Sequence, residues 1–489
     1  MVVVVKQKQY PLEFHGGKAL SLIPLAIFVF FCIAFFVVYQ VYEMEALALG
    51  GFVALILGSL LSKNIEEYWN AAVKGMSSEI ANNLTLILIV VGIFSKMMTR
   101  GGVAMGFVWL GDSLHLYGAT FCAFTFVATS ILATATGTSI GTIITGMTVL
   151  FPSGILLGCD PLILAGAIMS GALFGDSIGP VSDVTIASCA TQEYTNKSGS
   201  ADIGGTVYSR IKFSAVAGAL AFILFLIFGG SGKEASSVGA EMLAQYSNPR
   251  GLLMLVPVVL LLFVAIKYKN IYMAVTTGII SGTIVVLIFG IFPASEIMSV
   301  QNGTLKGFVI DGIKNMLGTV GYLYSLFAIM GILRECGMMD SIIDSLMSSK
   351  LAKSVVGTEL VIALGTIATG FCLGGANGPA CLMFGPIANR LGKKQMLHPY
   401  RRAHLLAGIS SSIPVMIPFA SLFVSITIST INGLIKDYAF IPPINPAALP
   451  FGMFFCMTFA LVWFFSIFTG WGRDYEGPNG SRVKTLTKN

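Results

Sequence analysis

Apolar runs, many of roughly the 20 residues a helix needs to cross a bilayer and separated by short polar stretches, recur from Leu20 to Phe468. They lie at about 20–41, 45–62, 82–95, 118–134, 137–158, 161–190 and 211–230. After a polar linker at 231–249 a second series follows, at about 251–266, 271–292, 317–334, 355–372, 375–390, 403–433 and 450–470. The strict alternation of a membrane β-barrel is absent. Between the second and third runs, Asn64 to Asn82 is amphipathic and carries Tyr68 and Trp69, a pattern that predicts a helix resting at the interface.

The two series resemble each other. Pro24 matches Pro257, and Gly92-Ile93 matches Gly331-Ile332. Farther on, Gly137 and Gly375, Ser139 and Asn377, Pro161 and Pro399, and Pro180 and Pro418 all stand 238 residues apart. Glycine and proline set backbone shape, so an ordered set of such matches predicts the same breaks in both halves.

Charge gives the sense of the repeat. The loop 151–161 has no Lys or Arg, whereas its counterpart, 389–402, holds Arg390, Lys393, Lys394, Arg401 and Arg402. Basic loops stay cytoplasmic, so equivalent loops fall on opposite faces. Lys96 and Arg100 are exceptions, placed outside by this count. The expectation is an all-α integral membrane protein, a polytopic bundle of about 12–14 membrane segments in two inverted repeats with discontinuous helices. Its parts are a cytoplasmic N-terminal tail (1–19), a first membrane repeat (20–230), the linker (231–249), a second, inverted repeat (250–470) and a cytoplasmic C-terminal tail (471–489).

Composition agrees. The 489 residues are 55% hydrophobic and 11% charged, with a mean hydropathy of +0.84; soluble domains carry about 25% charged residues. The eight cysteines lie in apolar runs without metal-ligand spacing and read as small buried side chains. The net charge of +6 suits loop orientation rather than nucleic acid. No catalytic constellation is evident, so an enzyme is not expected, and no cofactor is implied.

Within this apolar background, Asp176 and Asp183 interrupt the stretch SGALFGDSIGPVSDVTIASCAT beside Gly179 and Pro180. An ionised Asp at the bilayer centre costs about 2.5–3.5 kcal/mol on insertion scales, so two require a cation, a proton or water. Pro180 lacks an N–H and clashes with the carbonyl four residues back, which predicts a helix opened near Phe174 to Asp176 with oxygens freed for a cation. Upstream, ATATGTSIGTIITG supplies Gly137, Thr138 and Ser139. The matching second-half run, GFCLGGANGPACLMFGP, places Gly375, Gly378 and Pro379 around Asn377, and Pro414 and Pro418 follow where the first half has Asp176 and Pro180. The reading is a site with acids from one half and mostly neutral oxygens from the other. Asp176 is the shared ligand of transported Na⁺ and H⁺, with Asp183, Thr138, Ser139, Ser182, Thr185 and Asn377 in support. Asp183 serves equally as the N-cap of a helix starting at Val184, and Asn377 as a half-helix cap. Arg401, Arg402 and His404 either orient the chain or draw in an organic anion, and Arg334-Glu335 is either a gating or an interfacial pair.

Gly175-Asp176 followed by Pro180, Ser182, Asp183 and Thr185, together with ATGTSIGT upstream, resembles the signature of the NhaC family of sodium/proton antiporters, within the ion-transporter superfamily. The resemblance covers about residues 130–195, and GGANGP departs from the Gly-Thr-Ser type of sequence expected in the second half. It implies an inner-membrane secondary transporter coupled to Na⁺ and H⁺. The alternative is a Na⁺- or H⁺-coupled transporter or exchanger of a small organic carboxylate or amino acid. Partners are then these ions, a small organic solute and lipid, and the spans suit a monomer or a homo-oligomer alike.

Overall fold

In the computed structural model, residues 11–41, 43–179, 182–230, 246–268, 270–347 and 350–485 are described. Among them, eight helices of 18 or more residues are long and apolar enough to cross a membrane, and five apolar helices are shorter. The chain is a polytopic all-α membrane bundle with discontinuous helices, consistent with an inverted-repeat transporter fold. Most of the linker, 231–245, lies outside the described residues, as do Pro180 and the side chain of Asp183.

The chain forms two compact units, each drawing on both halves of the sequence. The smaller comprises 1–85 and 318–349. It contains α1 (Leu22–Ile33), α2 (Met44–Ser59), α3 (Ile65–Met76) and the start of α4 (Glu79–Arg100). Helix α3 is two-faced: Tyr68 is fully buried, its hydroxyl donating to Leu55 O at 3.0 Å, while Ile65, Trp69 and Val73 are exposed. Packing explains the buried face. A Cβ on Gly75 would lie 2.1 Å from Phe327 O, and one on Gly331 2.4 Å from Ala71 O, so α3 meets another helix backbone to backbone. In the same unit Glu335 takes Lys74 at 2.9 Å and lies 3.7 Å from Arg334.

The larger unit, 86–317 and 350–489, contains two matching helix series. The first follows α5 (Val103–Ser113) and consists of α6 (Ala119–Thr136), α7 (Ser139–Leu156), α8 (Pro161–Ile178) and α9 (Asp183–Ala190). It leads into α10 (Ile203–Phe228), α11 (Leu255–Tyr268), α12 (Ile271–Phe289) and α13 (Phe308–Glu335), whose second half belongs to the smaller unit with α14 (Met338–Met347). The second series is α15 (Val355–Cys372), α16 (Asn377–Lys394), α17 (Pro399–Ser410), α18 (Ile413–Met416) and α19 (Leu422–Ile435), with α20 (Phe454–Thr469) last.

Local chemistry repeats with the helices. Gly137 ends α6 at φ +67, and Gly374 and Gly375, at +65 and +74, follow α15; only glycine adopts that backbone without strain. Asp160 caps α8 and His398 caps α17, each before a proline at the first helical position. Ser182 caps α9 through Thr185 N, and Ser421 caps α19 through Val424 N. The one large difference has a cause. Where α8 is unbroken, its counterpart stops at Ser410 and resumes at Ile413, because Pro414 cannot accompany a helical carbonyl at Ser410.

The two series interleave reciprocally. Helix α9 packs on α16 and α17, and α19, its counterpart, packs on α7, the counterpart of α16. Such an exchange is what a two-fold relation between repeats produces. Helix α7 is 89% enclosed, against 33% for α10, so its hydroxyls face protein rather than lipid.

Several of the charges on which the orientation argument rests are engaged within the fold. Arg401 and Arg402 are buried: Arg401 forms a two-pronged pair with Glu359 at 2.7 and 3.1 Å and reaches Ser466 at 2.7 Å, while Arg402 donates to Glu193 O and Asn389 O. Arg473, at the start of the expected tail, also binds Glu359, at 2.7 Å, and the following residues form a β-hairpin, Tyr475–Glu476 with Arg482–Val483. Lys96 pairs with Asp437 at 2.5 Å, and Arg100 with Glu296 and with Asp311, so the exceptional cations carry their own neutralisation. All eight cysteines are buried and none forms a disulfide.

Candidate functional site

The site grows from the break after α6. Gly137 turns the chain out of the helix, Thr138 is extended as the N-cap of α7, and Ser139 opens that helix. Helix α8 brings Asp176 to the same place by packing unusually close to α6: a Cβ on Gly175 would lie 2.2 Å from Ser130 O, and one on Gly171 2.4 Å from Phe126 O. Ser139 Oγ then donates to Asp176 Oδ2 at 2.8 Å. Asp176 is 2% exposed, and this hydroxyl and the positive end of α7 are among the groups that favour its charged form.

The helix does not open at Phe174 to Asp176 as the proline rule suggested. It continues to Ile178; Gly175 O accepts from Gly179 N and from Thr134 Oγ1, and Phe174 O accepts from Ser177 Oγ. The break falls later, at Gly179, whose backbone is extended rather than left-handed. Those carbonyls are therefore engaged, and the acid's own side chain is the available ligand.

The remaining residues separate by role. Ser182 is buried and caps α9, at 3.4 Å from Thr185 N, so the cap belongs to Ser182 rather than to Asp183, which starts the helix. Thr185 Oγ1 accepts from Arg210 Nη2 at 2.6 Å. Thr138 is half-buried and makes no capping bond through its side chain. In the second half, Asn377 is buried, its Nδ2 donating to Ser411 Oγ at 3.2 Å and its Oδ1 accepting from Gly378 N at 3.1 Å. Gly378 and Pro379 lie inside the first turn of α16, where a missing N–H costs nothing, so the break is confined to residues 374–376. Pro414 is buried in α18, and Pro418 lies in the turn before α19. No cluster of three or more His, Cys, Asp or Glu side chains able to hold a metal occurs among the described residues.

Arg210 is the residue that sequence reading missed. It is 1% exposed on α10, within electrostatic reach of Asp176, Cys189 and Cys381. Read as an apolar run starting near 211, the span left Arg210 at its edge, where a cation is unremarkable. Asp202 starts α10 earlier by capping Gly205 N at 2.7 Å, which places Arg210 about two turns inside the helix. That Asp-x-x-Gly start was the available signal.

No family model matches the chain. It is similar to the malate-2H⁺/Na⁺-lactate antiporter of Bacillus subtilis (strain 168), at 29% identity over 399 residues, 78% of this chain and 81% of that protein. The chain is a relative of membrane antiporters. It is also 24% identical over 314 residues to the Na⁺/H⁺ antiporter NhaC of Alkalihalophilus pseudofirmus, covering 60% of this chain and 65% of that one. The arginine/ornithine antiporter ArcD of Halobacterium salinarum aligns at 25% over 321 residues, 61% of this chain and 64% of its own.

Proposed function

We propose that the chain is a secondary active antiporter, not an enzyme, in which Na⁺ and H⁺ compete for Asp176 as the site opens alternately to the two sides of a cell membrane. The observation that carries this reading is the Asp176–Ser139 pair: a carboxylate 2% exposed at a helix break, accepting from the Ser139 hydroxyl. A carboxyl group enclosed in a low-dielectric setting is neutralised by a proton or by a small cation, so the two compete for it. Binding one ion displaces the other, so exchange is coupled if the occupied site never faces both sides at once. Ser139 is a direct neighbour of the bound ion; Thr138 and Asn377 line the two breaks. The test is proton movement driven by a Na⁺ gradient in proteoliposomes: Asp176→Asn should abolish it, and an undiminished rate in that variant overturns the reading.

A second reading, exchange of small organic carboxylates coupled to the same ions, is favoured by the Bacillus subtilis malate/lactate relative, whose likeness covers 78% of the chain, and by a buried arginine within electrostatic reach of the acid. Solute-stimulated exchange with negligible exchange in the absence of solute distinguishes it from simple Na⁺/H⁺ antiport.

A further inference from the structure

Among the described residues of the larger unit, the buried cations differ in how far they are engaged. Arg401 is held by Glu359 and Ser466, Lys96 by Asp437 and Gly433 O, and Arg402, whose Nε–H has no acceptor, by two backbone carbonyls. Arg210 differs. Although 1% exposed, it forms no ion pair within 4.0 Å among the described residues; its one hydrogen bond runs to Thr185, and its Nε–H has no acceptor. A guanidinium cannot shed its charge, and although Asp176 lies within electrostatic reach, the free Nε–H edge of Arg210 leaves it able to take an incoming anion.

A second side chain has the same deficit nearby. His404, on α17, is 1% exposed, neither ring nitrogen has a hydrogen-bond partner, and it lies within electrostatic reach of Arg210. Phe213 and Trp463 meet its ring edge to face, at 5.4 and 5.3 Å between centroids. Two buried polar groups from different helices, α10 and α17, thus keep unpartnered nitrogens in one neighbourhood, with the Thr185 hydroxyl bound to the first of them.

We propose that Arg210, with Thr185 and His404, is the subsite for the anionic end of the transported solute, and that this solute is a small carboxylate. The inference rests on the antiport reading and deepens it. The edge formed by Nε and a terminal nitrogen of a guanidinium matches a planar carboxylate with two parallel hydrogen bonds. A polyphosphate needs further free cations, and the nearest guanidinium facing His404, Arg401, is already saturated by Glu359.

The placement also sets the sense of coupling. Arg210 acts on Asp176 across the site. While it is bare, its positive field opposes a cation there; once a carboxylate neutralises it, Na⁺ or H⁺ binds Asp176 more tightly. Cation and anion therefore favour each other and travel on the same leg of the cycle. Linkage makes the effect reciprocal: each raises the affinity of the other by the same factor.

The experiment is equilibrium binding to the purified full-length protein, with ²²Na⁺ and radiolabelled L-malate and L-lactate as probes. In the wild type, a saturating carboxylate should tighten Na⁺ binding severalfold, with an equal effect of Na⁺ on the carboxylate. Arg210→Gln should weaken carboxylate binding at least tenfold and remove the mutual enhancement while Na⁺ still binds. Should that variant fail to fold, Arg210→Lys, which keeps the charge and loses the planar edge, should weaken carboxylate binding in a monodisperse protein. Carboxylate affinity unchanged in the variants overturns the proposal. So does a wild type that binds Na⁺ but neither carboxylate, or one whose Na⁺ affinity ignores them. Failure of the underlying antiport reading has a different signature, undiminished Na⁺ binding in Asp176→Asn.

Discussion

Asn377 donates to Ser411 across the second-half break, in the position where Ser139 donates to Asp176 across the first. In both cases the first residue of the helix after a left-handed glycine reaches the end of the following antiparallel segment. One bridge ends on a carboxylate and the other on a hydroxyl, so the repeat preserves the tie while only one half carries an acid there.

The neutral tie should act in stability rather than in ion binding. A double-mutant cycle with Asn377→Ala and Ser411→Ala, read by unfolding in detergent, should give a coupling of about 0.6 kcal/mol, the average for hydrogen bonds between membrane helices. Na⁺ affinity should change less than twofold.

At the charged tie, Ser139→Ala removes a donor to an ionised acceptor, an interaction worth about 1.5–3 kcal/mol, so the apparent Na⁺ affinity should fall by about tenfold or more. Ser139→Thr retains the hydroxyl and should lie much closer to the wild type. Sodium titration of exchange in proteoliposomes separates the two.

The close approach of α6 and α8 makes two neighbouring glycines unequal. Gly175→Ala places a methyl group 2.2 Å from Ser130 O, a backbone atom that cannot swing aside, and should destabilise the protein by about 1–3 kcal/mol or more, with loss of transport. At Gly179 the nearest atom is 3.3 Å away, Gly175 O, and the backbone is extended, so Gly179→Ala should fold with a melting temperature near that of the wild type. Thermal unfolding of both variants checks the contrast.

Glu359 is fully buried between Arg401 and Arg473. Glu359→Gln leaves two guanidinium groups without their anion and should cost about 3–5 kcal/mol of stability. Replacing Glu359 and Arg401 together by leucine and methionine should recover part of that loss, measured by the midpoint of thermal unfolding in detergent.

What the sequence disclosed and what it hid follow from the kind of residue involved. Gly137, Gly375 and the prolines at 161 and 399 were legible because their backbone preferences act locally, and they mark matching helix ends in both halves. Asp176 was legible because a carboxylate in an apolar run is costly wherever it lies. Arg210 was not, because a charge at the edge of an apolar run reads as the end of a span; Glu359 lies inside the run at 355–372, but only the packing of Arg401 and Arg473 around it reveals what it does. Pro379 misled in the opposite direction. A proline suggests a break, yet at the third position of α16 it fits a helix that has just begun.

The anchoring of Arg473 to Glu359 makes the residues after the last helix part of the bundle's framework. An affinity tag or fluorescent reporter joined directly after Thr469 would leave Glu359 with a single guanidinium and prise away the hairpin that holds Leu397 by pairing with Tyr475. Fusions intended to report on a working protein belong beyond Val483.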